Sequence, residues 1–330
     1  MLNVGLTYDL RSDYLKQGFT NEETAEFDSE VTIDAIDTTL KKLGFGTQRI
    51  GNVFSLVDCL GRGERWDLVF NICEGLYGIG REAQVPAILD AYRIPYVFSD
   101  PLVLALTLHK GQTKRVIRDC GIPTADFVVV ESIADIEKVN LPYPLFAKPV
   151  AEGTGKGIDG QSKISGNKEL AEICKGLLQK FNQPVLVETY LPGREFTVGI
   201  VGTGLEARSV GVMEILISPK AKEQTYSFHT KENWKGIVDY SMVAGDTERK
   251  CVDTALKAWL CLGCRDAGRV DLKMDASGIP NFIEVNPLAG INPEHSDLPM
   301  LAAKNGLDFT SLIKRIMGSA LQRIKKQAYG

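Results

Sequence analysis

Arg269-Val-Asp271-Leu-Lys-Met-Asp275-Ala-Ser-Gly278-Ile-Pro-Asn-Phe282-Ile-Glu284-Val-Asn286-Pro287-Leu-Ala-Gly290-Ile-Asn-Pro293-Glu-His-Ser296 is the stretch from which the rest of the chain can be read. Polar and apolar residues alternate from Arg269 to Asp275, the period of a strand with one wet face. Asp275-Ala-Ser-Gly278 is turn chemistry, and alternation resumes from Phe282 to Asn286, which predicts a hairpin. Arg269 and Asp271 then share a face with Glu284 and Asn286. Residues two apart on a strand lie roughly 7 Å apart and neighbouring strands about 5 Å apart, so three oxygen donors converge beside an arginine. Asp271, Glu284 and Asn286 suit Mg²⁺, with Mn²⁺ as the alternative, because a hard cation takes oxygen ligands and keeps positions for water or phosphate. No thiolate or imidazole stands among them, which disfavours zinc. Pro287, Gly290 and Pro293 follow as a stiff loop whose backbone N–H groups can approach a ligand.

Composition sets the frame for that site. The chain has 330 residues, enough for two or three domains, and 44% hydrophobic with 24% charged residues is typical of a soluble globular protein. A formal charge of −4 gives no footprint for nucleic acid or an anionic membrane. No apolar run reaches the ~20 residues that span a bilayer. Leu2 to Tyr8 reads as a first strand rather than a signal peptide, so a cytoplasmic protein is expected. Seven cysteines lack framework spacing and suit reduced thiols; Cys261-Leu-Gly-Cys264 ends a helical pattern, where no thiolate is stabilised. The three histidines have no ligand spacing.

Outward from the hairpin, the first ~105 residues alternate between strand and helix. Glu30 to Leu43 carries helical spacing closed by Gly44, and Trp66 to Ile72 is a buried strand. Glu82 to Tyr92 reads as a helix and Ile94 to Phe98 as a short strand. This order predicts a parallel sheet with ligands at the loops beyond its strand ends. Two such loops stand out, the long acidic Asp9 to Glu26 and the glycine-rich Cys73 to Arg81. From Thr107 the character changes to a basic helix (Lys110 to Cys120), a strand (Asp126 to Val130), a helical Ser132 to Val139, a helix (Asn167 to Phe181) and a strand (Pro184 to Glu188). The expected domains are 1–106, 107–191 and 192–330.

Gly153-Thr-Gly155-Lys156-Gly157 invites two labels, and neither holds. A dinucleotide fingerprint needs G-x-G-x-x-G opening a helix, and a P-loop needs Gly-Lys-Ser/Thr doing the same. What remains is a glycine-rich turn between strands, after Lys148, whose N–H groups can cradle phosphate oxygens or simply form a surface hairpin. Val187-Glu188-Thr-Tyr-Leu191-Pro-Gly-Arg-Glu195-Phe196 is strand, connector and strand. It reads equally as a domain linker or as backbone able to pair with a flat base.

Taken in order, these stretches resemble the ATP-grasp superfamily, and most closely the D-alanine–D-alanine ligase family, over roughly Phe70 to Leu312. Arg81-Glu-Ala-Gln-Val-Pro-Ala, Ile94-Pro-Tyr-Val-Phe-Ser-Asp-Pro, Ala105-Leu-Thr-Leu-His-Lys110, Lys148-Pro-Val-Ala-Glu-Gly-Thr-Gly-Lys-Gly, Leu191-Pro-Gly-Arg-Glu-Phe-Thr-Val and Gly268-Arg-Val-Asp271 through Glu284-Val-Asn286-Pro carry the likeness. The resemblance implies an α/β (α+β) fold of three-domain ATP-grasp architecture with a Rossmann-like N-terminal domain. It implies an enzyme of cell-wall peptide synthesis that joins two amino acids, turning ATP into ADP and phosphate. Lys110, Lys148 and Lys231 match phosphate-side lysines, and Gly153, Thr154, Gly155, Lys156 and Gly157 the loop over the phosphates. Glu188 and Leu191 match the adenine strand, and Glu195 the ribose acid. Asp271, Glu284 and Asn286 match magnesium ligands. Arg269 and the Gly290 backbone match groups that stabilise the tetrahedral intermediate, and Ser296 the serine holding the second substrate's carboxylate.

Departures gather around the first amino acid. The family's Gly-Gly-x-Ser-x-Glu loop is Thr7-Tyr-Asp-Leu here, with Asp28 or Glu30 near the acid that grips the ammonium group. Its His-Gly is Glu74-Gly75, its turn serine is Thr154, and the tyrosine after the third lysine is Glu232. D-Alanine for both substrates is the leading expectation. A related ligase using another acid or amine, a nucleotide-binding protein without catalysis, and a dinucleotide oxidoreductase follow in that order. Expected partners are ATP and amino acids, with no nucleic acid and no membrane; a homodimer is left open.

Overall fold

The computed structural model describes residues 1–218 and 237–328. The chain opens with β1 (Asn3–Tyr8), α1 (Arg11–Lys16), α2 (Glu30–Lys42), β2 (Gly46–Gly51), α3 (Val53–Gly61) and β3 (Leu68–Ile72). The three strands form a parallel sheet in the order β2-β1-β3, because each helical return brings the chain back to start the next strand in the same direction. Helix α2 ends where Gly44 turns left-handed, as its spacing predicts, and its Ile33, Ile36 and Leu40 are buried against β1 and β3. The acidic loop is more ordered than the sequence suggests. It contains α1, and the Asp9 carboxylate accepts from the Tyr14 hydroxyl at 2.5 Å and the Gly75 N–H at 2.9 Å.

Next come α4 (Gln84–Ala91), preceded by a 3₁₀ turn at Arg81–Ala83, and α5 (Pro101–Leu108). The strand expected over Ile94 to Phe98 is reduced to one bridge between Val69 and Tyr96. Arg93 and Phe98 take positive φ on either side of it and stop the extended run.

Helix α6 (Lys110–Asp119) precedes β4 (Phe127–Val130), β5 (Leu145–Pro149), β6 (Lys163–Ile164), α7 (Asn167–Phe181) and β7 (Val185–Thr189). The segment expected to be helical over Ser132 to Val139 is a 3₁₀ turn at Ile133–Lys138. The four strands form an antiparallel sheet, β4-β7-β5-β6, covered by α7 through Leu170 and Cys174. A second antiparallel sheet, β10-β9-β8-β11-β12, comprises β8 (Glu195–Val201), β9 (Arg208–Ile217), β10 (Val238–Met242), β11 (Ala267–Met274) and β12 (Pro280–Asn286). Helix α8 (Asp246–Leu262) covers one face with Trp259 fully buried, and α9 (Asp297–Lys304) and α10 (Phe309–Ala328) cover the other.

One apolar core joins the ends of the chain: Ile33, Ile36 and Phe70 lie in the same cluster as Leu301, Ile313 and Ile316. Asp266, fully buried, locks that join by accepting from the Phe98 N–H at 2.9 Å and from Arg323 at 2.7 Å. The expectation of reduced cysteines fails at one pair. Cys120, after α6, and Cys261, on α8, form a disulfide. They stand 141 residues apart, so only the docking of the two helices reveals them.

Candidate active site

Strands β11 and β12 form the antiparallel hairpin that the alternation predicts, with Arg269 opposite Asn286 and Asp271 opposite Glu284. A register shift after Asp271 marks the point where the ladder leaves the site. Asp271 is also buried against β8, where the Thr197 hydroxyl donates to it at 2.8 Å. Arg269 donates to the same carboxylate and lies 3.7 Å from Asp297. Burial works against its charge, and Asp271, Asp297 and Glu284 outweigh that and hold it protonated.

Two cavities meet at this hairpin. The first, about 110 Å³, is lined by Lys110, Lys148, Gly155, Lys156, Glu188, Leu191, Glu195, Asp271 and Glu284. The second, about 300 Å³, is lined by Asp28, Glu74, Lys110, Gly153, Thr154, Arg269, Glu284, Asn286, Gly290 and Ser296. Lys110, Glu152 and Glu284 line both, so they form the shared wall. The Lys110 ammonium sits 3.3 Å from Glu284 and donates to the Glu152 carbonyl at 2.6 Å.

Each cavity has its own electrostatics. In the first, Lys148 lies 2.9 Å from Glu188, and the fully buried Lys114 donates to the same carboxylate. Burial alone would raise Glu188, but Lys114 and Lys148 prevail and hold it down at about 2. The trio is one anion and two cations, of which Lys148 and Glu188 line the cavity while Lys114 holds Glu188 from outside it. Glu195 pairs with Lys273 at 2.7 Å.

At the second cavity burial dominates. It raises Asp28 to about 7, with Asp9 adding to the effect, and lifts Glu74 well above the ordinary carboxylate range, helped by Glu82 and Glu26. Gly290 fits closely here, since a Cβ would come within 2.8 Å of the Ser296 hydroxyl. That hydroxyl caps the loop by accepting from the Asn292 N–H at 3.0 Å.

Gly157 lines neither cavity; it takes positive φ and packs under Pro149. Lys231 and Glu232 lie outside the described residues. Sequence reading missed Glu26, whose carboxylate accepts from the Gly153 N–H at 2.6 Å and from Arg81 at 2.8 Å. It also missed Lys273, although the alternation Arg269, Asp271, Lys273 signalled a shared face.

Asp271, Glu284 and Asn286 offer two carboxylates and an amide oxygen across one strand pair, a donor set that fits Mg²⁺. Among the described residues no three His, Cys, Asp or Glu side chains are placed to hold a metal by themselves, so the third donor of this set is the Asn286 amide oxygen.

Fold and site together define an ATP-dependent carboxylate–amine ligase of ATP-grasp architecture. The comparisons make this specific. A model of the family described as D-ala D-ala ligase C-terminus matches residues 116–318. The D-alanine–D-alanine ligase of Actinobacillus pleuropneumoniae serotype 5b is 30% identical over 86% of this chain and 90% of its own. That of Aquifex aeolicus is 32% identical over 76% of this chain and 81% of its own. Among solved structures, the Bacillus anthracis D-alanine–D-alanine ligase complexed with ATP superposes with a TM-score of 0.75 at 20% identity, covering 99% of this chain and 100% of that one. The VanG D-Ala:D-Ser ligase from Enterococcus faecalis gives a TM-score of 0.74 at 20% identity, over 97% of this chain and 99% of that one. The chain belongs to the D-alanine–D-alanine ligase family.

Proposed function

We propose that this enzyme joins the carboxylate of one amino acid to the amine of a second, with D-alanine as the reference substrate for both. A carboxylate is a poor electrophile, so it first takes the γ-phosphoryl group of ATP and becomes an acyl phosphate, releasing ADP. The second amine attacks the acyl carbon, loses a proton and expels phosphate. The observation that supports this most is the wall of Lys110, Glu152 and Glu284 between the two cavities, because a phosphoryl group passing from nucleotide to carboxylate must cross it.

Phosphoryl transfer calls for positioning and charge neutralisation more than for a covalent enzyme group. Lys110, Lys148 and Lys156 are read as neutralising phosphate oxygens, and the turn Gly153 to Gly157 as covering them. Glu188 and Leu191 are read as the base site and Glu195 as the ribose site. Asp271, Glu284 and Asn286 would hold Mg²⁺, which when bound supplies positive charge to the phosphate oxygens. Arg269 and the Gly290 N–H are assigned to the oxyanion formed as the amine attacks. Ser296 is assigned to the second carboxylate, and Asp28 and Glu74 to the first ammonium group. The covering turn keeps water from the acyl phosphate, which hydrolyses readily.

ADP and phosphate release tests the reading, with Mg²⁺, ATP and D- and L-amino acids offered singly and in pairs. The wild type should form ADP only when an amino acid is present. Glu284→Gln should lower that rate at least 100-fold while the protein still melts cooperatively. Undiminished turnover would remove Glu284 from the metal site.

A further inference from the structure

Lys114 stands on α6 one turn beyond Lys110, and its side chain is fully buried. It lines neither cavity. Enclosing an ammonium group is unfavourable unless an anion meets it, and an apolar side chain fills such a place without that penalty. The anion here is Glu188 on β7, whose two oxygens are held by two lysines. Lys114 donates to Oε2, and Lys148 on β5 lies 2.9 Å from Oε1. The Lys114 ammonium also lies over the Phe127 ring, 5.3 Å from its centre.

Lys148 and Glu188, unlike Lys114, line the first cavity. Alone they would form a neutral pair, and a phosphate arriving beside Lys148 would meet the carboxylate's repulsion together with the lysine's attraction. Lys114 alters that balance. Its ammonium sits on the other oxygen of the same carboxylate and takes up the Glu188 charge, which leaves the Lys148 charge for the cavity. In a water-poor interior such charges act on one another more strongly than in bulk water. Burial works against the Glu188 charge, and Lys114, then Lys148, overcome it. Burial also pulls Lys114 down, and Glu188 is the chief group that answers it.

We propose that Lys114 is a positioning residue that acts through Glu188: by neutralising this carboxylate from outside the cavity, it leaves Lys148 free to hold a phosphate oxygen of the nucleotide. This rests on reading Lys148 as a phosphate-side lysine, and it adds to that reading a residue that lies outside the cavity. Were Lys114 only a pin between α6 and β7, its loss would disturb base and phosphate binding alike. Acting through Glu188, its loss is felt at the phosphates.

Equilibrium binding separates the two. ADP with Mg²⁺ is titrated calorimetrically into the full chain, adenosine is measured by competition against it, and the quantity read is the ratio of the two affinities. Lys114→Met should lower that ratio at least fivefold, weakening ADP while adenosine stays within about twofold of the wild type. Lys114→Met combined with Glu188→Gln removes both charges and frees Lys148, so the ratio should return to within about twofold of the wild-type value. Glu188→Gln alone also frees Lys148 and should keep the ratio at or above the wild-type value, which serves as the second variant where Lys114→Met fails to fold. An unmoved ratio in Lys114→Met, no recovery in the double variant, or a lowered ratio in Glu188→Gln overturns the proposal. The phosphate reading fails separately. A wild type that binds ADP no tighter than adenosine removes Lys148 from the phosphates and the part of Lys114 with it, whereas tight ADP binding with an unmoved ratio strikes Lys114 alone.

Discussion

Asp28 shows at a single residue what this cavity does to charge. Burial holds its carboxyl up at about 7, and the neighbouring Asp9 adds to that, while the Thr32 hydroxyl pulls the other way. Because the folded value lies above the unfolded one, ionising Asp28 destabilises the fold. The penalty is absent near pH 4, grows as pH rises, and is complete above about 7, where it is on the order of 4 kcal/mol. Asp28→Asn should therefore stabilise the ligand-free protein more at pH 8 than at pH 5, read from urea midpoints at the two pH values. Equal gains at both would mean that the carboxyl is not held up. The donors on the hairpin were legible because a period of two puts alternate residues on one face, and four informative residues fall on that period. Glu26 was not, because its partners Arg81 and Gly153 lie across loops and no local spacing announces them.

At the scale of elements, the acidic loop and the glycine turn act on each other. Glu26 sits at the end of that loop, and its carboxylate holds the Gly153 N–H, Arg81 and, at 3.5 Å, Lys156. Burial alone would raise its pKa; Arg81 and Lys156 overcome this and hold it ionised. Arg81 in turn donates to the Ala151 carbonyl at 2.9 Å, so the turn is tied at both ends to the N-terminal segment. Breaking an enclosed pair costs about 3–5 kcal/mol. Glu26→Ala should loosen the turn, raising hydrogen exchange over residues 151–158 and, once an acyl phosphate forms, raising phosphate release unaccompanied by product severalfold. Unchanged exchange would show that the turn holds without Glu26. Helices α2 and α7 and strand β7 were readable from spacing to within a residue or two. The failure at Ile94 to Phe98 is instructive: apolar content suggested a strand, but backbone reversals at Arg93 and Phe98 left one bridge.

At the scale of the whole molecule, the site depends on three sheets being held in register. The N-terminal sheet is joined to the last helix through a shared core and through Asp266 with Arg323. Helix α6 is the second tie. Its Lys110 reaches the shared wall and its Lys114 reaches Glu188 on β7, while Ile117 packs in the core of α8 and the larger antiparallel sheet. The Cys120–Cys261 bond fastens the far end of α6 to α8 across 141 residues of chain. Closing a loop of that length restricts the unfolded chain by up to about 5 kcal/mol in the chain-entropy account. Cys261→Ser should lower the unfolding free energy of the oxidised protein by about 2–5 kcal/mol, and reductant should lower the wild type's melting temperature toward that of the variant. The KM for ATP should change less than stability, because Lys110 and Lys114 lie at the other end of α6 and are held by their own ion pairs. Alkylation of both thiols in the unreduced wild type, together with an unaltered melting temperature in the variant, would show that packing alone holds α6 in place.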